Sequence, residues 1–277
     1  MGYVILDLEW NNTYSRKLKR NFNEIIEFGA IKVDDKLNEI DKFSFLVYPE
    51  VSKTISQTIE SLTHISNYQL ESAEPFPRIF SKFKRFLGDD ILTTWGISDI
   101  LVLMENNNYY NGTHHIKFIK NFLDLQSYCK FSLGIQGHEQ LGLITAKDIL
   151  NLDDTGIKYH RAKDDSKLSL MCFRKLFNDN KINQFVKNST QKEFYDRLAF
   201  KNTFLSSLKD KKIDRTKLYF ECDVCGKRAK RISAWQFKNK SHRAVFRCKN
   251  CNNQFDGRIQ FKLTYDGVDI KKTIVHN

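Results

Sequence analysis

The chain has 277 residues, 41% of them hydrophobic, and a formal net charge of +12 at neutral pH. That is enough apolar content for one ordinary core and a smaller appendage, and no apolar run approaches the roughly 18–20 residues of a membrane span. The charge is uneven: residues 201–277 hold 19 Lys and Arg against 7 Asp and Glu, so the whole surplus lies there. A basic region joined to a neutral one suggests a polyanion-binding appendage. A solvated basic tail is the plain alternative, and interleaved aromatics and cysteines count against it. GYVIL at the start is cut short by Asp7 and Glu9 and does not read as a signal peptide. Leu6 stands where myristoylation needs Ser or Thr.

In chain order, YVILDLEW, IIEFGAIKV and FSFLVY predict three strands rich in β-branched and aromatic residues. Asp34, Asp35 and Asn38 make a polar turn suited to an antiparallel connection between the second and third. From Phe76 the period changes: Phe76, Ile79, Phe80, Phe83 and Leu87 follow a helical stripe. ILTTW predicts a short strand, residues 97–104 a helix, NFLDL around Phe122 a strand, and 139–152 and 164–178 two helices. Strands followed by alternating strands and helices imply an α/β fold, a mixed sheet covered by helices. Residues 179–217 are polar, with weak helical patterning, and read as a connector.

In DLEW, Asp7 and Glu9 are two apart on a strand and share a face. Two carboxylates on a strand with apolar flanks are costly unless a positive charge lies between them, and a divalent cation is the usual solution. A solvated strand end is the alternative for this pair taken alone. TTWGISDILVL adds Asp99 at a strand-to-helix junction. In YHRAKDDSKLSL two aspartates compete, and the helical period separates them. Leu168, Cys172, Phe173 and Leu176 form one stripe with Asp165 near its middle, while Asp164 lies about 100° away, towards Lys167 and Lys175. Asp165 is expected to face the sheet, and Asp164 to face solvent or cap the helix.

D-x-E in the first strand, a later Asp after a strand, and H-x-x-x-x-D opening the last helix together resemble the DEDDh (DnaQ-like, RNase T) 3′→5′ exonucleases. EIIEFGAIKV, SLTHIS and QLGL resemble further segments of that superfamily, so the likeness spans about residues 1–178 in order. HRAKDDSK and TWGISDILVL most resemble the branch of histone-mRNA and small-RNA 3′ exonucleases and KapD-like proteins. The resemblance implies an RNase H-like mixed sheet flanked by helices, with Asp7, Glu9, Asp99, His160 and Asp165 as catalytic residues. It also implies that Leu8, Trp10, Leu62, Thr63, His64 and Ile65 lie near the terminal nucleotide of the substrate. Two positions depart from the family pattern: Trp10 stands where Thr often follows the Glu, and His64 replaces the glycine of L-T-G-I.

Asp7, Glu9, Asp99 and Asp165 supply about four negative charges, suited to two divalent cations roughly 3.5–4 Å apart. Oxygen-only ligands favour Mg²⁺ or Mn²⁺ over zinc. An imidazole with the ordinary pKa near about 6.5 is neutral at pH 7, so a loop histidine at position 160 suits a general base. His114, His115 and His138 have no such partners in sequence and read as solvated loop residues.

Near the C-terminus, Cys222, Cys225, Cys248 and Cys251 form C-x2-C-x22-C-x2-C. Four thiolates in two knuckles read as a closed, structural Zn²⁺ site in a zinc ribbon; redox-active pairs are the alternative, without a βαβ context to support them. Unpaired C-x-x-C motifs suit a reducing compartment, hence the cytoplasm. IQFKLTY and KKTIV suggest strands beyond the knuckles. KRAKR (227–231), Arg243, Arg247 and Lys249 sit among Trp235, Phe237 and Phe246, a mixture that suits single-stranded nucleic acid. Alternatively the aromatics form the ribbon's own small core, the natural assignment for Phe246, or the ribbon docks a protein.

The sequence therefore predicts an exonuclease domain over 1–180, a connector over 181–217 and a small β-rich zinc-ribbon domain over 218–277. The expected function is metal-dependent 3′→5′ hydrolysis of nucleic acid, RNA favoured over DNA by branch resemblance, releasing 5′-mononucleotides. The expected partner is single-stranded RNA 3′ ends, without a membrane. The competing function is a non-catalytic nucleic-acid-binding or scaffolding protein that retains the fold.

Overall fold

The computed structural model describes residues 1–137 and 139–276, and the chain divides into two compact units, Met1–Leu198 and Ala199–Asn277. His138 lies outside the described residues.

In the first unit, β1 (Tyr3–Ser15), β2 (Arg20–Val33) and β3 (Glu39–Tyr48) are followed by α1 (Gln57–Thr63), α2 (Asn67–Glu71), β4 (Glu74–Pro75) and α3 (Phe76–Leu87). Next come β5 (Ile91–Thr94), α4 (Ser98–Asn111), β6 (Asn121–Asp124), α5 (Leu125–Ser132), α6 (Leu143–Ile149), α7 (Ala162–Leu176), α8 (Asp179–Ile182), β7 (Val186–Asn188) and α9 (Lys192–Ala199). The strands form one mixed sheet ordered β4-β3-β2-β1-β5-β6-β7. β1 runs antiparallel to β2 and parallel to β5, and β5 is parallel to β6. The strand that carries Asp7 and Glu9 is thus central.

Period-2 alternation assigns the two faces of β1. Val4, Leu6 and Leu8 pack with Phe80, Phe83 and Leu103 in one core cluster. Tyr3 and Ile5 pack with Tyr128, Leu170 and Phe173 in another. The Phe76–Leu87 stripe is buried as its period predicts. Between β2 and β3, the Asp34 carboxylate accepts from the Lys36 and Asn38 backbone N–H groups at 2.9 and 2.7 Å and so holds the turn.

Three expectations need correction. The helix after Ile97 does not stop near Met104 but runs to Asn111. In its polar tail Asn106 and Asn107 are buried, the Asn106 side-chain amide donating to Asn23 O and accepting from Ile25 N–H, while Asn107 donates to Thr113 O. The helix expected over 139–152 is confined to Leu143–Ile149; ahead of it Leu141 O accepts instead from the Trp95 indole (3.0 Å) and the Gln126 amide (2.9 Å). Residues 181–217 are not a separate connector. β7 joins the first sheet beside β6, and Tyr195 of α9 is buried in its core. The remainder belongs to the second unit, which therefore starts before residue 218.

That second unit contains β8 (Thr203–Phe204), β9 (Phe220–Glu221), β10 (Arg228–Arg231), β11 (Gln236–Lys238), β12 (Ser241–Arg247), β13 (Gln254–Thr264) and β14 (Gly267–Val275). The sheet runs β14-β13-β12-β10-β9, with β11 on β12 and β8 on β13. Ile213, Phe220, Phe246, Phe255, Ile259 and Phe261 fill its core around Cys222 and Cys248. Among the described residues, no helix is long and apolar enough to cross a membrane.

Candidate active site

The first unit's site lies where β5 ends and β1 continues. β1 pairs with β5 only from Tyr3 to Leu6, so the next outward N–H, that of Leu8, needs another acceptor. The Asp99 carboxylate takes it at 3.0 Å. This bond ties the first turn of α4 to the central strand and sets Asp99 beside Asp7.

On the other side, cross-strand register places Gly29 opposite Asp7 and Glu27 opposite Glu9. Gly29 is needed for close approach: a Cβ there would lie 2.1 Å from Ala162 C and from Lys163 N. Without a side chain in the way, the first turn of α7 rests on β2, and Ser166 Oγ donates to Gly29 O at 2.8 Å. Asp165 is thereby delivered to the face of Asp7 and Glu9. Glu27, whose side chain is only 2% exposed, would be an unanswered charge opposite Glu9. The Arg161 guanidinium pairs with it through Nη2 at 2.8 Å and Nε at 3.2 Å, and Ala162 N–H adds a third bond. Glu27, Gly29 and Arg161 were not singled out from sequence. The signal lay in EIIEFG, where a charge and a glycine interrupt an otherwise apolar strand.

Asp7, Glu9, Asp99, His160 and Asp165 all line one cleft. Ligand atoms of Glu9, His160 and Asp165 come within 4.8 Å of one another. His160 has a left-handed backbone, φ +58°, held by its own N–H donating to Asp165 Oδ2 at 3.0 Å. Asp164 is absent from the cleft lining, and its Oδ2 accepts from Lys158 N–H at 3.3 Å.

Crowded carboxylates in a desolvated cleft resist ionisation. Burial, then repulsion from Asp99 and Asp165, pushes the Asp7 carboxyl well above the usual range. Burial and then Asp165 and Glu27 push Glu9 up to about 8. Burial raises Asp99 to about 7 despite the bond from Leu8, and raises Asp165 to about 6. Such a cluster is completed by cations, and its all-oxygen carboxylate donor set fits hard divalent ions.

Of the six residues expected near the substrate, Leu8, Trp10, Leu62 and Thr63 line the cleft, but His64 and Ile65 do not. His64 is the left-handed C-cap of α1, φ +57°. Glycine would be at ease at such a position. Ile65 is 1% exposed and packs with Ile26, Ile55 and Leu70. Ile59, Trp95, Ser98, Gly142, Leu143, Ile144 and Tyr159, which no sequence motif assigns to the site, complete the lining. Their local signals were weak: QLGL and the Tyr beside His160 were visible, but nothing placed them at the cleft. His114 is exposed as expected, whereas His115 packs on the Tyr195 ring at 5.0 Å and lies 3.2 Å from Thr190 O.

In the second unit the four cysteines converge. Cys222 Sγ is 3.5 Å from Cys251 Sγ, and Cys225 Sγ is 3.4 Å from Cys248 Sγ. A tetrahedral zinc with Zn–S near 2.3 Å needs sulfurs about 3.8 Å apart, so this cluster fits one ion with slight adjustment. The knuckles are built alike: Cys222 N–H donates to Lys227 O and Cys248 N–H to Asn253 O, both at 2.8 Å. Gly226 and Asn252, each following the second cysteine, take positive φ. Burial opposes ionisation of Cys222, but the Asn253 amide and the Cys225 and Val224 N–H groups outweigh it and bring the thiol down to about 6. Phe246 is core, as its alternative reading had it. Trp235 is half-buried, 5.7 Å from the Phe246 ring and under the Arg231 guanidinium, while Phe237 remains exposed.

A central mixed sheet with this carboxylate cleft defines an exonuclease fold. The exonuclease family called RNase T matches residues 4–173, more than half of the chain, and the chain belongs to that family. Similar sequences include the PolC-type DNA polymerase III of Staphylococcus haemolyticus, 26% identical over 184 residues, 57% of this chain and 12% of that protein. That of Staphylococcus saprophyticus is 29% identical over 140 residues, 42% and 9% of the two chains. The chain thus spans about a tenth of the length of these relatives, which carry the same exonuclease domain. Solved structures of similar fold include the nuclease domain of 3′hExo, a DEDDh family member, bound to rAMP, at TM-score 0.56 and 20% identity over 67% of this chain and 96% of that one. Another is the 3′-exonuclease described in 3′-end-specific recognition of a histone mRNA stem-loop, at TM-score 0.55 and 20% identity over 68% and 84%.

Proposed function

We propose that the chain is a divalent-metal-dependent 3′→5′ exonuclease that releases 5′-mononucleotides, with RNA as its preferred substrate. One observation carries this reading: carboxylates from positions 7, 9, 99 and 165 meet His160 in a single cleft. Asp7, Glu9, Asp99 and Asp165 would hold Mg²⁺ or Mn²⁺, two ions by charge balance, and such ions supply water activation and stabilisation of the departing 3′ oxygen. His160, at the exposed rim, accepts the proton of the attacking water at an imidazole nitrogen. Arg161 and Glu27 hold the strand-helix junction that positions it. Leu8, Trp10, Leu62 and Thr63 offer an apolar wall for the terminal nucleotide.

Four thiolates of the second unit would hold one structural Zn²⁺, and the basic ribbon grips single-stranded nucleic acid. Free C-x-x-C pairs suit a reducing, cytoplasmic setting. The PolC-type matches favour DNA, whereas branch resemblance favours RNA. Degradation of 5′-labelled RNA and DNA with Mg²⁺, with Mn²⁺ or without a divalent ion tests the proposal. Stepwise shortening of RNA, faster than DNA and only with a divalent ion, is the expected result. Faster DNA shortening would reverse the substrate assignment, and intact strands under all conditions would leave a non-catalytic binding protein.

A further inference from the structure

The second unit's sheet has one face in its core, and on the other face Arg243, Val245, Asp256 and Arg258 are half-buried. Cross-strand partners project on the same side, and Arg243 of β12 lies directly opposite Arg258 of β13. Like charges opposite one another destabilise a sheet. Moreover, Nε of both side chains is buried without a hydrogen-bond partner in the described structure. Two adjacent guanidiniums, half-buried and each with an unpaired Nε, suit an anion with several oxygens arranged to accept forked bonds.

The arrangement continues along the strands. Arg247 shares the face of Arg243, since it lies four residues further along β12, and Lys230 of β10 is its cross-strand partner. Four residues of strand span roughly 13 Å, too far for one phosphate to serve both clusters. Asp256 also lies on this face, opposite Val245 and Val275.

We propose that the face of β12 and β13 opposite the core is a phosphate track for a single nucleic-acid strand, seated on the Arg243–Arg258 pair and continued by Arg247 and Lys230. This deepens, and rests on, the reading of the ribbon as a nucleic-acid grip. It assigns the grip to backbone phosphates on that face, separate from Arg231, which stacks on Trp235.

The test uses full-length protein carrying Asp7→Ala to prevent cleavage, with zinc content confirming that the ribbon is intact. Binding of a labelled single-stranded RNA is measured between 0.05 and about 0.3 M salt for three proteins. These are the parent, Arg243→Gln/Arg258→Gln, and Arg231→Gln as a comparison. Two lost phosphate contacts reduce the log–log salt slope by about 1.4 and weaken binding roughly tenfold near 0.15 M salt. Arg243→Lys/Arg258→Lys, which keeps the charge but loses the fork, should retain most of the slope with reduced affinity. If the Arg231 protein weakens and the Arg243/Arg258 protein does not, the track is wrong while the ribbon still grips. If neither changes, both readings fall. Retention of the parent on polyglutamate in preference to RNA, lost with Arg243→Gln/Arg258→Gln, would assign the face to an acidic protein and overturn the proposal.

Discussion

The two candidate metal centres of this chain are built in opposite ways. The cysteine site of the second unit is local: two knuckles, each with its own turn hydrogen bonds, bring paired thiols together, and the rest of the unit packs around them. The carboxylate cleft is assembled from β1, α4 and α7, whose ligands are up to 158 positions apart (Asp7 to Asp165). Closed and tetrahedral, the first suits structure; open, acidic and rimmed by an exposed histidine, the second suits chemistry. A site made locally can be unfolded locally, whereas a site made by tertiary packing depends on contacts such as Gly29 against Ala162.

The largest expected effect is at the cleft. Asp7→Ala or Asp165→Asn should abolish shortening of labelled RNA without loss of the folded far-UV spectrum, while Asp164→Asn stays active. An inactive Asp164 variant with an active Asp165 variant would reverse the assignment of the two aspartates. Next, His160→Ala should lower turnover by roughly 10²–10⁴, typical for loss of a general base. Its residual activity should rise towards high pH, where hydroxide is available; pH profiles that match wild type would argue for a structural histidine.

The thiolate site should fail differently. Metal analysis should find about one zinc per chain, and Cys248→Ser should unfold the second unit, because structural zinc contributes about 10–16 kcal/mol in small domains. Cleavage of short oligonucleotides should persist, since the described residues that line the cleft all belong to the first unit. Joint loss of both functions would show that the two centres are coupled.

A subtler contrast lies in pH. Free carboxyls titrate near 3.9–4.3 in an unfolded chain, but Glu9, Asp99 and Asp165 are raised to about 8, 7 and 6. Between those limits the folded, cation-free chain holds more protons than the unfolded one, so its stability falls as pH rises through about 6–8. Melting of cation-free protein should therefore occur at lower temperature at pH 8 than at pH 5.5, and added Mg²⁺ should narrow the gap. An equal gap with and without Mg²⁺ would detach these carboxylates from the cation site. The smallest effect is at His64, where relief of a left-handed non-glycine residue is worth about 1 kcal/mol. His64→Gly should raise the first unit's melting temperature by about 2–4 °C without slowing cleavage; a large rate change would bring that residue back to the substrate.

Some of this was written in short-range pattern. Alternation in YVILDLEW assigns Asp7 and Glu9 to one face, the 3.6-residue period chooses Asp165 over Asp164, and C-x-x-C spacing announces a thiolate cluster. Each depends only on neighbours a few residues apart, whose geometry the backbone imposes. Asp99, His160 and the order of the motifs were legible through family resemblance. The tertiary structure alone decided that Leu8 N–H, left where β5 ends, captures Asp99, and that a missing Cβ at Gly29 admits α7. It also decided that Arg161 answers Glu27, that His64 is a cap and Ile65 core, and that Arg243 faces Arg258. Each depends on which groups a distant segment leaves unpaired or uncrowded, and no local period records that.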